Sequence, residues 1–454
     1  MYFGDGRGVD VDSDVYASMP ALLGHVLSVM PSGGTIALTS AVAQRVGYPD
    51  RPENAKPGRG VRKPARKGQV AESRAVVEGR AHGWEISDRG IGAWTIWRAG
   101  TQSVAVVVLD WLDHKAMGVS SFPCLTSGHD PMAAAYILSR YRQLTGVSLV
   151  MTAGSSGVNM LRGRRGQGGR APLLKWDGGR TPANDVRERM LVWDRPRELW
   201  TPEEVSAPYV VPWDTRAAYL AAQSTAELPY DALERTGVER GFEPHRSGYW
   251  QVAGPWTPYS LLPSLTGHHS GAVPLTTATV RLLIDEGMPE EMITDAWLAP
   301  IRHDSRGKEI AHTGRITRGV AERLRDGLAA IPEDCADPEE THVRAMIKAT
   351  YREMTGMLER GTPFVRRPDW SDMIIGTSRS ALLRKVISAG KSSGRWPLRI
   401  DSDCVYYAAQ TPDHATENPG LPVDGRIGKM REDKKAMTMA EFLKSVESAE
   451  GDRA

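Results

Sequence analysis

Hydrophobic residues recur along the chain at spacings that predict alternating strands and helices. Two β-branched and aromatic runs, Ala93 to Arg98 and Ser103 to Leu109, have the length and composition of strands, and Val147 to Met151 adds a buried one. Between them, Pro131 to Thr145 carries apolar residues at helical spacing. Residues 81–194 are therefore expected to form an α/β domain.

The first 50 residues predict a small helical unit. Leu22, Leu23 and Val26 fall on one helical face, a glycine pair then breaks the helix, and a second short helix can follow. This helix–turn–helix pattern is found in DNA-binding proteins and also in helical pairs that do not touch DNA. Residues 51–80 are rich in Pro, Gly and Lys/Arg, which predicts a flexible linker, either a plain tether or an electrostatic arm for a phosphate backbone.

An acidic triplet stands out in the remaining segment, residues 195–454. The stretch WPLRIDSDCVYYAA, Trp396 to Ala409, places two short apolar runs around Asp401, Ser402 and Asp403. This pattern predicts a β-hairpin with two carboxylates at its tip. If the chain is extended there, both carboxylates lie on one face, where they suit a hard ion such as Mg²⁺. A solvated turn is the other interpretation.

Two further stretches precede the triplet. In YVVPWDTRAAYLAA, strand-like residues lead to Asp214 at the start of a predicted helix, and Tyr219 follows five residues later. In the predicted helix over residues 341–360, Arg344, Lys348 and Arg352 recur every four residues, which predicts one basic stripe. Such a stripe either holds a triphosphate or is an ordinary solvated helix face.

Charge and composition narrow the remaining choices. The net charge is +2 for 454 residues with 41% hydrophobic residues, so the chain is ordinary globular material without a strong overall attraction to nucleic acid. A basic, glycine-rich loop containing Arg162, Arg164 and Arg165 suits phosphates, although such loops are often simply mobile. Three widely spaced cysteines and the lack of a long apolar run predict a cytoplasmic protein that does not enter a membrane.

The order of these stretches resembles the palm and fingers of family B DNA polymerases, in particular their protein-primed members. Asp214 and Tyr219 have the spacing of motif A in that family, and Lys348 matches the lysine that opens motif B. The triplet 401–403 is similar to the acidic hairpin of motif C. A late segment, RIGKMRED, which contains Lys429, is similar to a glycine–lysine stretch that follows motif C in some members.

The resemblance implies an α/β (α+β) multidomain fold, with a polymerase-like palm and helical fingers in residues 195–454. Residues 81–194 would be an RNase H- or exonuclease-like domain. It also implies two-metal phosphoryl transfer, with two Mg²⁺ or Mn²⁺ ions held by Asp214, Asp401 and Asp403. The implied nucleotide-binding residues are Lys348, Arg344, Arg352 and Tyr219, and the DNA-binding candidates are Arg162, Arg164, Arg165 and Lys429.

The partners implied are primer–template DNA, deoxynucleoside triphosphates and a terminal or priming protein, in the replication of a phage, plasmid or linear replicon. Two other interpretations stay open. The interior of motif B departs from the family pattern: NSxY is replaced by Arg352, Glu353, Met354 and Thr355. No DxE stands in residues 83–120, where a proofreading exonuclease would have it. These departures favour the first alternative to an active polymerase, an inactive relative that binds DNA as a replication or end-binding factor. The second alternative is a structural or assembly protein in which the motifs are coincidental.

Overall fold

The computed structural model describes residues 13–30, 34–49, 70–88, 94–108, 131–147, 153–162, 189–266, 271–303, 305–360, 366–432 and 435–451. The protein is of the mixed α/β class, as predicted, and its internal contacts divide it into two units. Unit 1 comprises residues 1–160 and 323–354, and unit 2 comprises residues 161–322 and 355–454. The boundary therefore differs from the one predicted at residue 195, and a helical segment near residue 340 belongs to unit 1.

A four-stranded sheet with flanking helices forms the N-terminal part of unit 1. Its elements are α1 (Met19–Val29), β1 (Gly34–Leu38), α2 (Ser40–Arg45), α3 (Arg74–Ala81), β2 (Glu85–Asp88), β3 (Trp94–Ala99), β4 (Gln102–Val108), α4 (Pro131–Thr145) and α5 (Ala153–Arg162), after a 3₁₀ turn at Ser13–Tyr16. The strand order is β1-β4-β3-β2, with β1 parallel to β4 and the other pairs antiparallel. The predicted strands in residues 93–109 and the helix Pro131–Thr145 are confirmed.

The helix–turn–helix interpretation of the first 50 residues is wrong. Strand β1 lies between α1 and α2 and pairs along its whole length with β4, so the two helices are not joined by a tight turn. The helical spacing of the apolar residues predicts α1 correctly. Strand β1 has only five residues, GTIAL, and its conformation depends on its pairing with β4 more than on its own sequence. In the linker predicted at 51–80, residues 74–81 form α3, and residues 51–69 lie outside the described residues. The strand predicted at Val147 to Met151 lies largely outside them too.

The chain from residue 189 contributes several sheets and the longest helices. Its helices are α6 (Pro202–Val205), α7 (Ala218–Thr225), α8 (Thr277–Asp285), α9 (Arg318–Ala329), α10 (Pro338–Arg360), α11 (Pro368–Ser393), α12 (His414–Glu417) and α13 (Met439–Gly451), with 3₁₀ turns at Arg197–Leu199 and Glu290–Met292. Its strands are β5 (Val192–Asp194), β6 (Tyr209–Thr215), β7 (Leu228–Pro229), β8 (Glu234–Arg235), β9 (Gly248–Ala253), β10 (Ala272–Thr276), β11 (Ile293–Leu298), β12 (Ile301–His303), β13 (Glu309–Ala311), β14 (Thr313–Gly314), β15 (Arg399–Asp401), β16 (Cys404–Ala409), β17 (Met430–Arg431) and β18 (Met437–Thr438).

An antiparallel sheet in the order β17-β6-β16-β15-β5 is the centre of unit 2, and β18 also pairs with β6. One face of this sheet packs against α11 through a buried apolar cluster that includes Trp213, Leu382, Val386 and Val405. The opposite face is covered by α13, where Phe442 packs against Val210, Leu398, Cys404 and Tyr406. The sheet is thus buried on both faces along much of its length, which explains the continuous apolar run of β16.

Helix α11 continues through Gly390, where the backbone is helical, and it ends at Gly394 in the left-handed region at φ 74°. The reason for a glycine at 390 is steric: a Cβ there would stand 2.7 Å from ring atoms of Trp396. Glycine is therefore used at this position for close packing and not for a turn.

Among the described residues, no helix combines the length and the apolar character that crossing a membrane requires.

We expect Leu382→Ala to destabilise unit 2 strongly. Leu382 is 2% exposed and lies in the cluster between α11 and the sheet, so its truncation removes buried methyl groups and leaves a cavity. The expected loss in the free energy of unfolding is about 2–5 kcal/mol. Leu199→Ala, the same change at a residue that is 39% exposed, should cost less than about 0.5 kcal/mol. Urea unfolding followed by tryptophan fluorescence measures both, and equal losses would contradict this assignment of the core.

Candidate functional site

The pairing of the central sheet in unit 2 brings acidic residues from two distant segments into one row. Asp401 on β15 is paired with Cys404 on β16, and Cys404 is paired in turn with Asp214 on β6. Directly opposite residues of antiparallel strands point to the same face, so the side chains of Asp401 and Asp214 share one face with one strand between them. At about 4.8 Å per strand, their backbones lie roughly 10 Å apart.

Asp403 reaches the same edge from the tip of the hairpin. Ser402 and Asp403 form the two-residue turn between β15 and β16, which confirms the predicted hairpin. The backbone amide of Thr215 donates a hydrogen bond to the carbonyl oxygen of Asp403 at 2.9 Å, so Asp403 is tied to the end of β6 beside Asp214.

The triplet is not extended, so the condition under which both carboxylates would lie on one face is not met. Ser402 has a φ of 59°, in the left-handed region, so the direction of the backbone reverses between Asp401 and Asp403. Asp401 therefore takes its orientation from the strand, and Asp403 from the turn. Serine costs more than glycine in this conformation, and the amide of Ser402, which donates to the carbonyl oxygen of Leu191 at 2.7 Å, helps to hold it there.

Arg431 forms an ion pair with one carboxylate oxygen of Asp214. Arg431 on β17 is paired with Asp214, and its guanidinium donates to Asp214 Oδ2 from Nη2 at 3.1 Å and from Nε at 3.2 Å. Both side chains are partly buried, so the attraction is screened less than at an open surface. The row Asp401, Cys404, Asp214, Arg431 thus ends on a positive charge.

A second cation, Lys385, comes to this edge from α11. Its Nζ is enclosed, and it has no hydrogen-bond partner in the described part of the chain, although the side chain as a whole is half-buried. The pKa of Lys385 is lowered to about 8, mainly by burial and also by the positive charge of Lys429, while Asp214 and Asp403 act in the opposite direction. Lys385, Lys429, Asp214 and Asp403 therefore share one electrostatic environment.

The carboxylates suit a hard divalent cation in their chemistry, but they do not form a closed metal cage. Within the ranges that the structure describes, no group of three or more His, Cys, Asp and Glu residues lies close enough to hold a metal ion. Mg²⁺ needs only one or two protein carboxylates, so Asp214 and Asp403 are a sufficient pair. Arg431 competes for Asp214 Oδ2, and a metal ion there would have to replace that ion pair.

Tyr219 lies in the first turn of α7, close in sequence to Asp214, and is half-buried. Thr215 is the last residue of β6, and the N-cap residue is Ala217, in the left-handed region at φ 49° and without a side-chain cap. Arg216 and Ala217 therefore separate β6 from the helix.

The predicted basic stripe on α10 does not exist as one exposed surface. Arg344 is 7% exposed, and its guanidinium donates to the carbonyl oxygens of Leu328 and Ile331 and to Glu333. It thereby satisfies carbonyl groups at the end of α9, a structural role that removes it from the nucleotide-binding candidates. Lys348 is half-buried and Arg352 exposed. All three residues belong to unit 1, whereas Asp214, Asp401 and Asp403 belong to unit 2.

The predicted DNA-binding residues divide into two groups. Arg164 and Arg165 lie outside the described residues, and Arg162 is described only as the last residue of α5. Lys429 is half-buried beside Lys385, and its carbonyl oxygen accepts a hydrogen bond at 2.9 Å from the amide of Arg216, two residues after Asp214. Lys429 thus lies at the acidic edge, while the basic loop around residue 164 stays a prediction.

Two residues of this edge, Lys385 and Arg431, were not predicted from the sequence. Lys385 follows the apolar periodicity of α11, since Leu382 and Ala389, three residues before it and four after it, are both buried. A lysine in that register is a detectable signal, because an apolar helix face does not ordinarily carry one. Arg431 has no comparable signal, since only the pairing of β17 with β6 brings it to Asp214.

No model of a known protein family matches the chain, and no curated protein matches it. Among solved structures, it is similar to "Phi29 DNA polymerase complexed with primer-template DNA and incoming nucleotide substrates (ternary complex)", at 10% identity and a TM-score of 0.44, over 77% of this chain and 70% of that one. It is also similar to the same polymerase in its post-translocation binary complex with primer-template DNA, at 11% identity and a TM-score of 0.42, over 76% and 68% of the two chains. A likeness of this size does not assign a function.

Because the pKa of Lys385 is lower in the folded protein than the ordinary value of 10.5, stability should depend on pH in a defined direction. Between pH 8 and 10.5 the unfolded chain binds more protons than the folded one, so stability rises with pH in that window. Lys385→Met removes this dependence. We expect the variant to be more stable than wild type below pH 8, by up to roughly 3 kcal/mol, and the gain to shrink towards pH 10.5.

Urea unfolding of wild type and Lys385→Met across this pH range measures the difference. Lys444→Met, the same change at an exposed lysine of α13, should follow the wild-type pH dependence. A constant difference between wild type and Lys385→Met would show that the ammonium of Lys385 is not buried in the folded protein.

Proposed function

We propose that the protein is a DNA-polymerase-like nucleotidyltransferase whose reaction takes place at the sheet edge of Asp214, Asp401 and Asp403. The observation that carries the proposal is the convergence of these residues. Asp214 and Asp403 are far apart in sequence, yet the hydrogen bond between Thr215 and Asp403 joins their backbones at one end of the sheet. Carboxylates gathered in this way suit metal-assisted phosphoryl transfer.

Asp214 and Asp403 would hold Mg²⁺ or Mn²⁺, with Asp401 as a supporting carboxylate. The ions would supply activation of a primer 3′-hydroxyl and neutralisation of the leaving pyrophosphate. Phosphoryl transfer depends mainly on positioning and on charge stabilisation, so cations beside the carboxylates also matter. Lys385 and Lys429 are the cations of this edge, and an ammonium group without a hydrogen-bond partner, as in Lys385, is suited to a phosphate oxygen.

The substrates proposed are primer–template DNA and deoxynucleoside triphosphates. Lys348 and Arg352 remain nucleotide-binding proposals, and Tyr219 remains a proposal for a residue beneath the sugar. A terminal or priming protein as partner, a phage, plasmid or linear replicon as template, and a cytoplasmic location stay predictions from the sequence.

The ion pair between Arg431 and Asp214 favours a second function, an inactive polymerase-like protein that binds DNA in replication or at DNA ends. An arginine cannot lose its charge at any ordinary pH, so it competes permanently for the oxygen that a metal ion needs. If the arginine prevails, the acidic edge is electrically balanced by Arg431, Lys385 and Lys429, and no metal chemistry takes place there.

Primer extension distinguishes the two functions. We expect wild type to extend a labelled primer on a template with Mg²⁺ or Mn²⁺ and all four nucleotides, and Asp214→Asn or Asp403→Asn to reduce the rate at least about 100-fold. Both substitutions preserve shape and remove only charge. Asp295→Asn, on β11 outside the acidic edge, is the matched control and should keep the wild-type rate.

A wild-type protein that retards DNA on a gel without extending the primer would exclude the polymerase and support the inactive binding protein. Absence of both extension and retardation would exclude both functions.

Removal of the competing arginine should make the acidic edge bind metal more tightly. For Arg431→Gln we expect the dissociation constant for Mn²⁺ to fall about three- to tenfold, which corresponds to roughly 0.7–1.4 kcal/mol. Mn²⁺ titration followed by electron paramagnetic resonance measures this without any need for activity. Arg426→Gln, at an exposed arginine paired with Asp424, is the control. An unchanged constant in Arg431→Gln would mean that no metal ion binds at Asp214.

A further inference from the structure

A cavity of about 520 Å³ opens in unit 2 between α8 and α11 and contains no residue of the acidic row. Its walls come from the start of α8, from one side of α11, and from the connecting segments around residues 226, 245 and 315. The volume lies in the range of small-ligand sites.

Arginines dominate the charge of this cavity. Arg281 and Arg315 are both exposed, and within the described residues neither guanidinium has an ion pair or a hydrogen-bond partner. A third, Arg384, is paired with Asp285 at 2.9 Å. Glu227 is the other acidic residue of the lining, so three arginines face two carboxylates, and two of the arginines have their donors available.

The backbone of α8 adds further donors. Its N-cap residue, Thr276, makes no side-chain cap, the first turn contains no acidic residue, and Thr277 lies in the cavity wall. The first amides of a helix lack intrahelical partners and carry partial positive charge, which favours an anion. The wall also includes Ser380, which is 4% exposed and whose Oγ has no hydrogen-bond partner in the part of the chain that the structure describes.

We propose that this cavity binds phosphate groups of a nucleic-acid strand, with Arg281 and Arg315 as the principal contacts. The planar guanidinium matches a phosphate with two parallel hydrogen bonds. The described residues of the lining contain no Phe, Tyr or Trp, so a base has no stacking partner there and the backbone is the part of the strand that is recognised. The residues of the cavity by themselves support the binding of phosphate. The choice of a nucleic-acid strand over a free polyphosphate rests on the proposed function in DNA synthesis.

The test is the salt dependence of binding to a fluorescein-labelled single-stranded oligonucleotide, followed by anisotropy. EDTA is present and nucleotides are absent, so catalysis plays no part. Each phosphate contact contributes about 0.7 to the slope of log K against log salt for a single strand. Arg281→Ala/Arg315→Ala should therefore reduce the slope by roughly 1.4 and weaken binding at least about tenfold near 0.1 M salt.

The control is Arg240→Ala/Arg318→Ala, which removes the same charge from two exposed arginines of unit 2 outside the cavity. Arg281→Lys/Arg315→Lys keeps the charge and should retain most of the slope while losing affinity through the lost fork geometry. Equal slopes for the cavity variant and the control, or a wild type that does not bind the oligonucleotide, would overturn the proposal.

Competition with inorganic tripolyphosphate identifies the source of the phosphate. If tripolyphosphate binds wild type and not the cavity variant, while the oligonucleotide slope is unchanged, the site takes a free polyphosphate and the strand assignment is overturned. Because primer extension is not used here, loss of the proposed catalytic function would leave this result intact, and the two failures are distinguishable.

Discussion

The antiparallel pairing of β6 with β16 is the constraint on which the candidate site depends. Six residue pairs join these strands, from Tyr209 with Ala409 to Asp214 with Cys404. A slip by one residue would turn Asp214 to the face that packs against α11 and Trp213 to the opposite face. Placing a carboxylate among the apolar side chains of that cluster is costly, so the hydrophobic pattern of β6 fixes the position of its acidic residue.

Electrostatic balance is the second feature of this edge. Three carboxylates lie near three cations, Lys385, Lys429 and Arg431, and Arg431 forms a direct ion pair with Asp214. A buried ammonium is costly in the absence of a hydrogen-bond partner, and the neighbouring carboxylates reduce this cost without removing it. Such an arrangement is understandable in a site where an anionic substrate completes the set of interactions.

Helix α11 connects the core, the acidic edge and the cavity. Leu382 and Val386 pack on the sheet, the charge of Lys385 interacts with Asp214 and Asp403, and Arg384 and Ser380 line the cavity. The start of the helix is anchored by the buried pair Arg367 and Asp369, with N–O distances of 2.7 and 2.9 Å. A rigid helix fixed in this way places residues of different function at set angles, which a loop does not do.

Local patterns determined part of this protein. The hairpin at Asp401 to Cys404, the strand that leads to Asp214 and the helix Pro131–Thr145 follow from hydrophobic spacing and turn chemistry, because each is favoured by neighbours in the chain. The long-range contacts could not be predicted from these local patterns. Strand β1, the ion pair of Arg431 with Asp214, and the burial of Arg344 against the end of α9 each depend on residues far away in sequence. The sequence by itself therefore identified the carboxylates, and only the tertiary structure decided which cations face them. The reason is that strand pairing and helix packing set the charge partners, and these contacts leave no local pattern in the sequence.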